Sequence, residues 1–158
     1  MRALVAIVLL TLTTWCHAEP IRGRVVGVLD GDTIDVLDAA RVSHRIRLAG
    51  IDAPEKSQAY GHRSKQSLSD LIFGKEVSVE VHKRDRYERE IGRVMLDGED
   101  VNLEQIRRGM AWFYRQYERE LSPEDQAAYD AAEVMARSKK VGLWADQAPL
   151  SPWMFRRK

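Results

Sequence analysis

Apolar residues recur along this chain at two spacings, and the spacing changes where one element gives way to another. Val25, Val26, Val28 and Leu29 stand among small residues and predict a first strand over 21–29. Asp30-Gly31 signals a hairpin, because Gly31 tolerates the positive φ of a tight turn. Thr33 to Leu37 and Val42 to Ile51 follow as the second and third strands of an antiparallel meander. The period then lengthens. Leu68, Leu71 and Ile72 fall at i, i+3 and i+4 with Ser64 in the same stripe, predicting a helix ended by Gly74 at C′. Val77, Val79 and Val81 alternate with polar partners over Glu76 to Lys83, and Ile91 to Leu96 is a further strand closed by Asp97-Gly98. Asn102 with Gln105 three positions on reads as the capping box of a short helix through Leu103, Ile106 and Arg108, stopped by Gly109. Ser122-Pro123-Glu124-Asp125 supplies an N-cap, a proline at N1 and an acid at N3. The helix it opens is expected to reach Lys140, to bury Ala128, Ala132 and Met135, and to stop at Gly142. The tail over 149–158, with Arg156-Arg157-Lys158 at its end, is expected to be loosely attached.

Three strands, a helix, two strands and two helices make an α+β, mainly β protein. The order suits a five-stranded Greek-key barrel of the OB type with about three flanking helices. Two acids sit oddly in it. Alternation places Asp32 on the face of Ile34 and Val36, and Asp52 shares parity with Ile46 and Leu48. A carboxylate in a core-facing row is costly unless a cation or hydrogen bonds receive it. Two of them at strand ends point to a metal held at the mouth of the barrel. With no Cys or His at ligand spacing, an oxygen-only set selects a hard cation such as Ca²⁺ or Mg²⁺ over zinc. Arg47 has the opposite parity to Asp52, and a bulge near Gly50 would reconcile them.

The 158 residues fit one domain, and 44% apolar with 31% charged residues describe a globular protein with a real core. Residues 1–18 are of another kind. Arg2, an apolar run over Ala3 to Leu12, and a small residue at Ala18 predict a secretory signal peptide, too short to favour a membrane span. Lipidation at Cys16 is disfavoured by the bulky Trp15 before it. The domain is expected over 19–148, in a secreted or periplasmic monomer with no stable membrane association. Cleavage near Ala18 removes the single cysteine, so the mature chain has no internal disulfide. It also removes Arg2 from 25 basic residues, leaving 24 against 24 acidic ones. A neutral chain argues against bulk electrostatic binding, so an anionic ligand must be held by local basic groups.

Asp30-Gly31-Asp32-Thr33, Arg47-Leu48 leading into Ile51-Asp52-Ala53-Pro54-Glu55, and Asp85-Arg86-Tyr87-Glu88-Arg89 resemble the staphylococcal nuclease (thermonuclease) family in order and spacing. The resemblance continues through Asp97-Gly98, Val101-Asn102, Arg107 to Ala111 and Gly142-Leu143-Trp144. It implies an OB barrel and calcium-dependent hydrolysis of DNA and RNA phosphodiesters. By the same resemblance Asp32, Asp52 and the Ala53 carbonyl hold Ca²⁺, and Glu55 is the general base. Arg47 and Arg89 grip the phosphate, and Tyr87 lies near the nucleotide. Arg86, Tyr114 and Tyr117 are further candidates for substrate contact. Glu88 departs from the glycine usual in the family, Ala53 from a common threonine, and the segment after Glu55 is shorter than in staphylococcal nuclease.

Taken singly, Asp30 to Thr33 is a hairpin, Arg45 and Arg47 a solvated strand face, and Lys83 to Glu90 a polar turn. The aromatics at 112, 113, 114 and 117 are core or stacking platforms with equal right. The competing reading is a non-catalytic OB module that binds single strands or oligosaccharides. A phosphodiesterase of small nucleotides is a third. Retention of Asp32, Arg47, Asp52, Glu55 and Arg89 together favours the enzyme.

Overall fold

The computed structural model describes residues 19–157, so the expected leader lies outside the described residues. β1 (Ile21–Val28), β2 (Thr33–Asp38) and β3 (Ser43–Leu48) form the antiparallel meander. A two-residue β4 (Ile51–Asp52) and helix α1 (Gly61–Ile72) follow. β5 (Glu76–Arg84) then returns beside β1, and β6 (Glu90–Leu96) pairs antiparallel with it. β6 also runs parallel to β3, with Ile46 opposite Glu90 and Leu48 opposite Gly92, and this pairing closes a mixed five-strand barrel. Register shifts at Val25/Gly27 in β1 and Val81/Lys83 in β5 bend those strands toward closure.

The alternation read from the sequence is the core. Val25, Ile34, Val36, Ile46, Leu48, Val77, Val79 and Val94 are all buried inside the barrel. Each such side chain contributes about 1.5–3 kcal/mol, so a one-residue slip of any strand would forfeit several at once. Outside the barrel come β7 (Glu99–Asp100), α2 (Val101–Arg107), β8 (Trp112–Phe113), a 3₁₀ segment at Arg115–Glu120, and α3 (Pro123–Ser138). A second 3₁₀ turn at Gly142–Ala145 and the short α4 (Pro152–Phe155) complete the chain.

Five local expectations change. The third strand stops at Leu48, because Gly50 turns the chain with φ 72 and β4 leaves the barrel sheet to pair with β8. Gly31 is needed for close approach and not for positive φ: a Cβ there would lie 1.8 Å from Ser64 Oγ and 2.7 Å from Ala53 Cβ. Asp100, not Asn102, caps α2 by accepting from the Leu103 N–H at 3.0 Å. Helix α3 begins as expected, with Ser122 Oγ accepting from Asp125 N–H, but it ends at Ser138. Its buried stripe is Tyr129, Ala132, Glu133 and Ala136, which leaves Met135 exposed. The tail is not loose. Ser151 and Pro152 are buried, Trp153 stacks on Tyr114 at 5.3 Å, and Arg156 is ion-paired.

The closing seam carries a polar cluster. Glu90, almost fully buried, meets His44 Nδ1 at 3.2 Å and accepts from Arg84 Nη2 at 2.8 Å, while His44 Nε2 meets Asp38 at 3.0 Å. Burial pulls the His44 pKa down, but the bonds to Asp38 and Glu90 outweigh it and raise it above the ordinary 6.5. The protonated ring therefore stabilises the fold below pH 6.5, and that contribution is lost as pH rises through the raised value. Thermal melts should show a wider gap between the wild type and His44→Gln at about pH 5.5 than at about pH 8.5. An equal gap at both would remove His44 from the seam's energetics.

Candidate active site

One end of the barrel opens into a cleft of about 690 Å³. Its walls come from the 30–32 turn, the 47–55 segment, the β5–β6 hairpin, the Tyr114–Glu120 stretch and Arg156. Six acids (Asp30, Asp32, Asp52, Glu55, Asp85, Glu120) face six basic residues (Arg47, Lys83, Arg84, Arg86, Arg89, Arg156). The cleft is thus no basic track. Attraction for an anion depends on where individual charges sit.

Arg47 stands at the centre. Nη1 donates to the carbonyls of Leu48 and Ile51, both at 2.9 Å. Nη2 lies 3.1 Å from Asp52 Oδ1 and 3.2 Å from Asp32 Oδ2. The Gly50 turn, not a bulge, reconciles the parity of Arg47 and Asp52, since β4 belongs to a different sheet. Asp32 also accepts from the Ala53 N–H at 2.7 Å and the Thr33 hydroxyl at 3.1 Å. Burial pushes the Asp32 carboxyl up to about 7; Arg47 opposes this, Asp30 and Asp52 add to it, and the Ala53 N–H opposes it.

Buried polar side chains hold these segments. Asn102, fully buried, donates to the carbonyls of Ala49 and Gly92 and accepts from Val94 N–H. Gln105 donates to the carbonyls of Gly31 and Ser64. Glu133 of α3 accepts from Phe113 N–H at 3.1 Å and Arg115 Nη1 at 2.7 Å, fixing β8 and, through it, Asp52. Glu55 follows Pro54 into the cleft mouth, and its side chain is 39% exposed. Gln58 accepts from the Glu55 N–H and donates to the Leu150 carbonyl, so the turn after Glu55 is tied down.

The opposite wall carries Arg89. Asp85 accepts from its Nε at 2.8 Å and from its backbone N–H at 3.0 Å. Burial raises the Asp85 pKa, but the bonds from Arg89 and Tyr87 outweigh this and hold the carboxyl below its usual range. Glu88 adopts φ 62, a left-handed conformation that glycine takes without steric cost. Tyr87 is exposed, with the Arg86 guanidinium 4.8 Å and that of Arg89 5.5 Å from its ring. Trp112 and Phe113 are core, whereas Tyr114 and Tyr117 line the cleft, their rings 5.1 Å apart edge to face.

The structure thus brings Asp32, Arg47, Asp52, Ala53, Glu55, Arg86, Tyr87, Arg89, Tyr114 and Tyr117 to one cleft. Arg156 joins them unforeseen. Its Nη2 lies 2.8 Å from Asp52 Oδ2 and its Nη1 2.6 Å from Glu55 Oε1. Ser151-Pro152 repeats the Ser-Pro helix start of Ser122-Pro123 and was the available signal for α4.

Fold and site together define an OB-type barrel whose mouth joins buried carboxylates to arginines. The sequence pattern described as "Staphylococcal nuclease homologue" matches residues 45–146. An "Uncharacterized endonuclease" of Haemophilus influenzae is 40% identical over 152 residues, 96% of this chain and 82% of that protein. A protein of the same description from Escherichia coli O157:H7 is 42% identical over 159 residues, 100% of this chain and 99% of its own. A "Micrococcal nuclease" of Shigella flexneri is 42% identical over 166 residues, 99% of this chain and 92% of that one. The chain belongs to the staphylococcal nuclease family.

Arg47 is the sole side chain bonded to both buried carboxylates among the described residues. Removing one partner of a buried ion pair leaves an uncompensated charge, so Arg47→Met should cost roughly 3–5 kcal/mol of stability. Urea unfolding measures it, and a loss below about 1 kcal/mol would mean that the carboxylates are satisfied without Arg47.

Proposed function

We propose that the protein is a calcium-dependent nuclease hydrolysing DNA and RNA with low sequence specificity, secreted or periplasmic after removal of a leader ending near Ala18. Its nuclease relatives support hydrolysis of nucleic acid. The observation that carries the finer reading is the convergence of Asp32 and Asp52 on one guanidinium nitrogen at the barrel mouth, with Glu55 beside them.

The residues fit a hard cation. Among the described residues no three His, Cys, Asp or Glu side chains form a ready metal cluster; the donors this reading uses are two carboxylates and one main-chain oxygen, with water for the rest. Asp32, Asp52 and the carbonyl of Ala53 offer oxygen donors only, which suits calcium. The burial that pushes Asp32 up to about 7 marks a carboxylate that a further positive charge would stabilise. When bound, calcium supplies positive charge against the phosphate oxygens.

The chain's own residues perform the rest. Arg89, oriented by Asp85, offers a planar fork to the charge that develops on the phosphate, while Arg47, its Nη atoms engaged by two carbonyls and two carboxylates, adds its positive charge and its remaining Nε–H. Glu55 stands on a tied turn and takes a proton from the water whose oxygen forms the new P–O bond, while the opposite P–O bond breaks in line and the leaving sugar oxygen takes a proton from solvent water. Tyr87, Tyr114 and Tyr117, with Arg86, contact bases or sugars along the wall, and specificity is low because stacking accepts any base.

Activity on denatured DNA and on RNA should vanish in chelator and return with Ca²⁺. Full activity in chelator, or rescue by Zn²⁺ alone, would reject the calcium reading. Glu55→Gln should cut turnover by about a hundred- to ten-thousandfold while calcium affinity, by calorimetry with a nucleotide present, changes little. A loss of calcium binding as severe as in Asp32→Asn would make Glu55 a ligand. Arg89→Lys should lower turnover by roughly a hundredfold, because a point charge replaces a fork. Arg93, which bonds Glu80 and Asp125 away from the cleft, should tolerate the same change. If Arg93→Lys were the damaging one, the assignment of Arg89 would fall.

A further inference from the structure

Arg156 has no place in the mechanism above, yet it touches two of its central residues. The helix that delivers it is firmly seated. Trp153 stacks on Tyr114 with an interplanar angle of 20° and meets Trp112 edge-on at 5.4 Å. Leu150 just before it is bonded to Gln58, and Pro152 is buried. Arg156 is the C-cap of α4, so its position follows from that docking while its own side chain stays 43% exposed. The guanidinium spans both oxygens of Asp52, at 3.2 Å and 2.8 Å, and reaches Glu55. Hydrogen bonding to Asp52 raises the Arg156 pKa further, so the group stays charged at any working pH.

The consequence lies in lone pairs. Asp52 Oδ1 already accepts from Arg47, and with Arg156 added both oxygens are engaged in charge-assisted bonds. The Asp52 side chain is left 2% exposed. Glu55, the acid that has to meet water, is bonded at 2.6 Å to the same guanidinium. One side chain thus occupies both a cation's ligand and the base. Arg47 is anchored by two carbonyls and takes only Oδ1 of Asp52, so Oδ2 is the oxygen left for a cation, and Arg156 Nη2 covers it; the exposed Arg156 stem can rotate while Trp153 stays stacked on Tyr114.

We propose that Arg156 is a tethered competitor of the cation: it closes over Asp52 and Glu55, and calcium binding requires it to swing out. The inference rests on the calcium reading above and deepens it. Arg156 holds the protein in a resting form in which Asp52 and Glu55 are both ion-paired, and its displacement frees Glu55 in the same event. The released guanidinium remains at the cleft wall, within reach of an anionic strand. Helix α4 therefore sets the calcium concentration at which the site becomes competent.

Calorimetric titration of Ca²⁺ into the wild type, Arg156→Gln, Arg156→Lys and Lys83→Gln tests this. Lys83 is another cation of the same cleft, paired with Glu120 away from Asp52. Apparent affinity scales with the fraction of molecules already open, so a contact formed about nine-tenths of the time makes Arg156→Gln bind calcium about tenfold tighter. Arg156→Lys should give a smaller gain, because an ammonium lacks the fork that spans Asp52. Lys83→Gln should stay within about twofold of the wild type. The calcium concentration for half-maximal activity should fall in Arg156→Gln by the factor that calorimetry reads. Equal calcium affinity in the wild type and Arg156→Gln overturns this inference and leaves the calcium site standing. An equal gain in Lys83→Gln overturns it too, by reducing the effect to general charge. Absence of calcium binding in every protein overturns both readings together.

Discussion

Two carboxylates buried at the end of a barrel would unfold it if nothing met their charge, and Arg47 meets both. Its four short contacts join β3, the turn at Gly50 and β4 to the 30–32 turn. The guanidinium thus converts an electrostatic liability into a fixed geometry. Fully buried ion pairs seldom add net stability over an apolar replacement. A cluster of this kind is a poor choice for building a core and a good one for holding two carboxylates at a set place.

Around this centre the support is polar and buried. Asn102 and Gln105 bind main-chain carbonyls of the two segments that carry Asp32 and Asp52, and both side chains are completely enclosed. Glu133 does the same for β8 from the other side. An unsatisfied amide in such a place would cost about 1–3 kcal/mol, so each bond also fixes which arrangement the loops adopt. The hydrophobic barrel gives the protein its stability. These three side chains give the cleft its shape.

How much was legible follows from that division. Alternation in β2 and β3 exposed Asp32 as a charge on a core face, and the same parity named nearly every buried aliphatic residue of the barrel. The Arg47–Asp52 conflict was visible too, but its solution depended on a change of sheet at Gly50, which no local pattern encodes. Asn102 and Gln105 looked like a capping box because the spacing fits one. Their real partners lie on distant segments and leave no trace in spacing. The stripe of α3 was misread because two of its buried members, Tyr129 and Glu133, are polar by type. Tyr129 hides by bonding Asp100, and Glu133 by meeting Phe113 N–H and Arg115. Arg156 was read as tail because basic termini usually are, while the aromatic contact that seats it spans residues 114 and 153.

The parallel seam between β3 and β6 has a kinetic meaning. His44 and Glu90 are 46 positions apart, and bringing them together costs about 3 kcal/mol of loop entropy before any seam contact rewards it. The meander of β1 to β3 and the β5–β6 hairpin are local by comparison and form from near neighbours in the chain. Asp32 and Arg47 belong to the first unit, and Asp85 and Arg89 to the second. The two halves of the cleft face each other only once the seam has zipped. A chain with its meander and its hairpin formed therefore still has no assembled cleft, and the two walls meet only when the barrel closes.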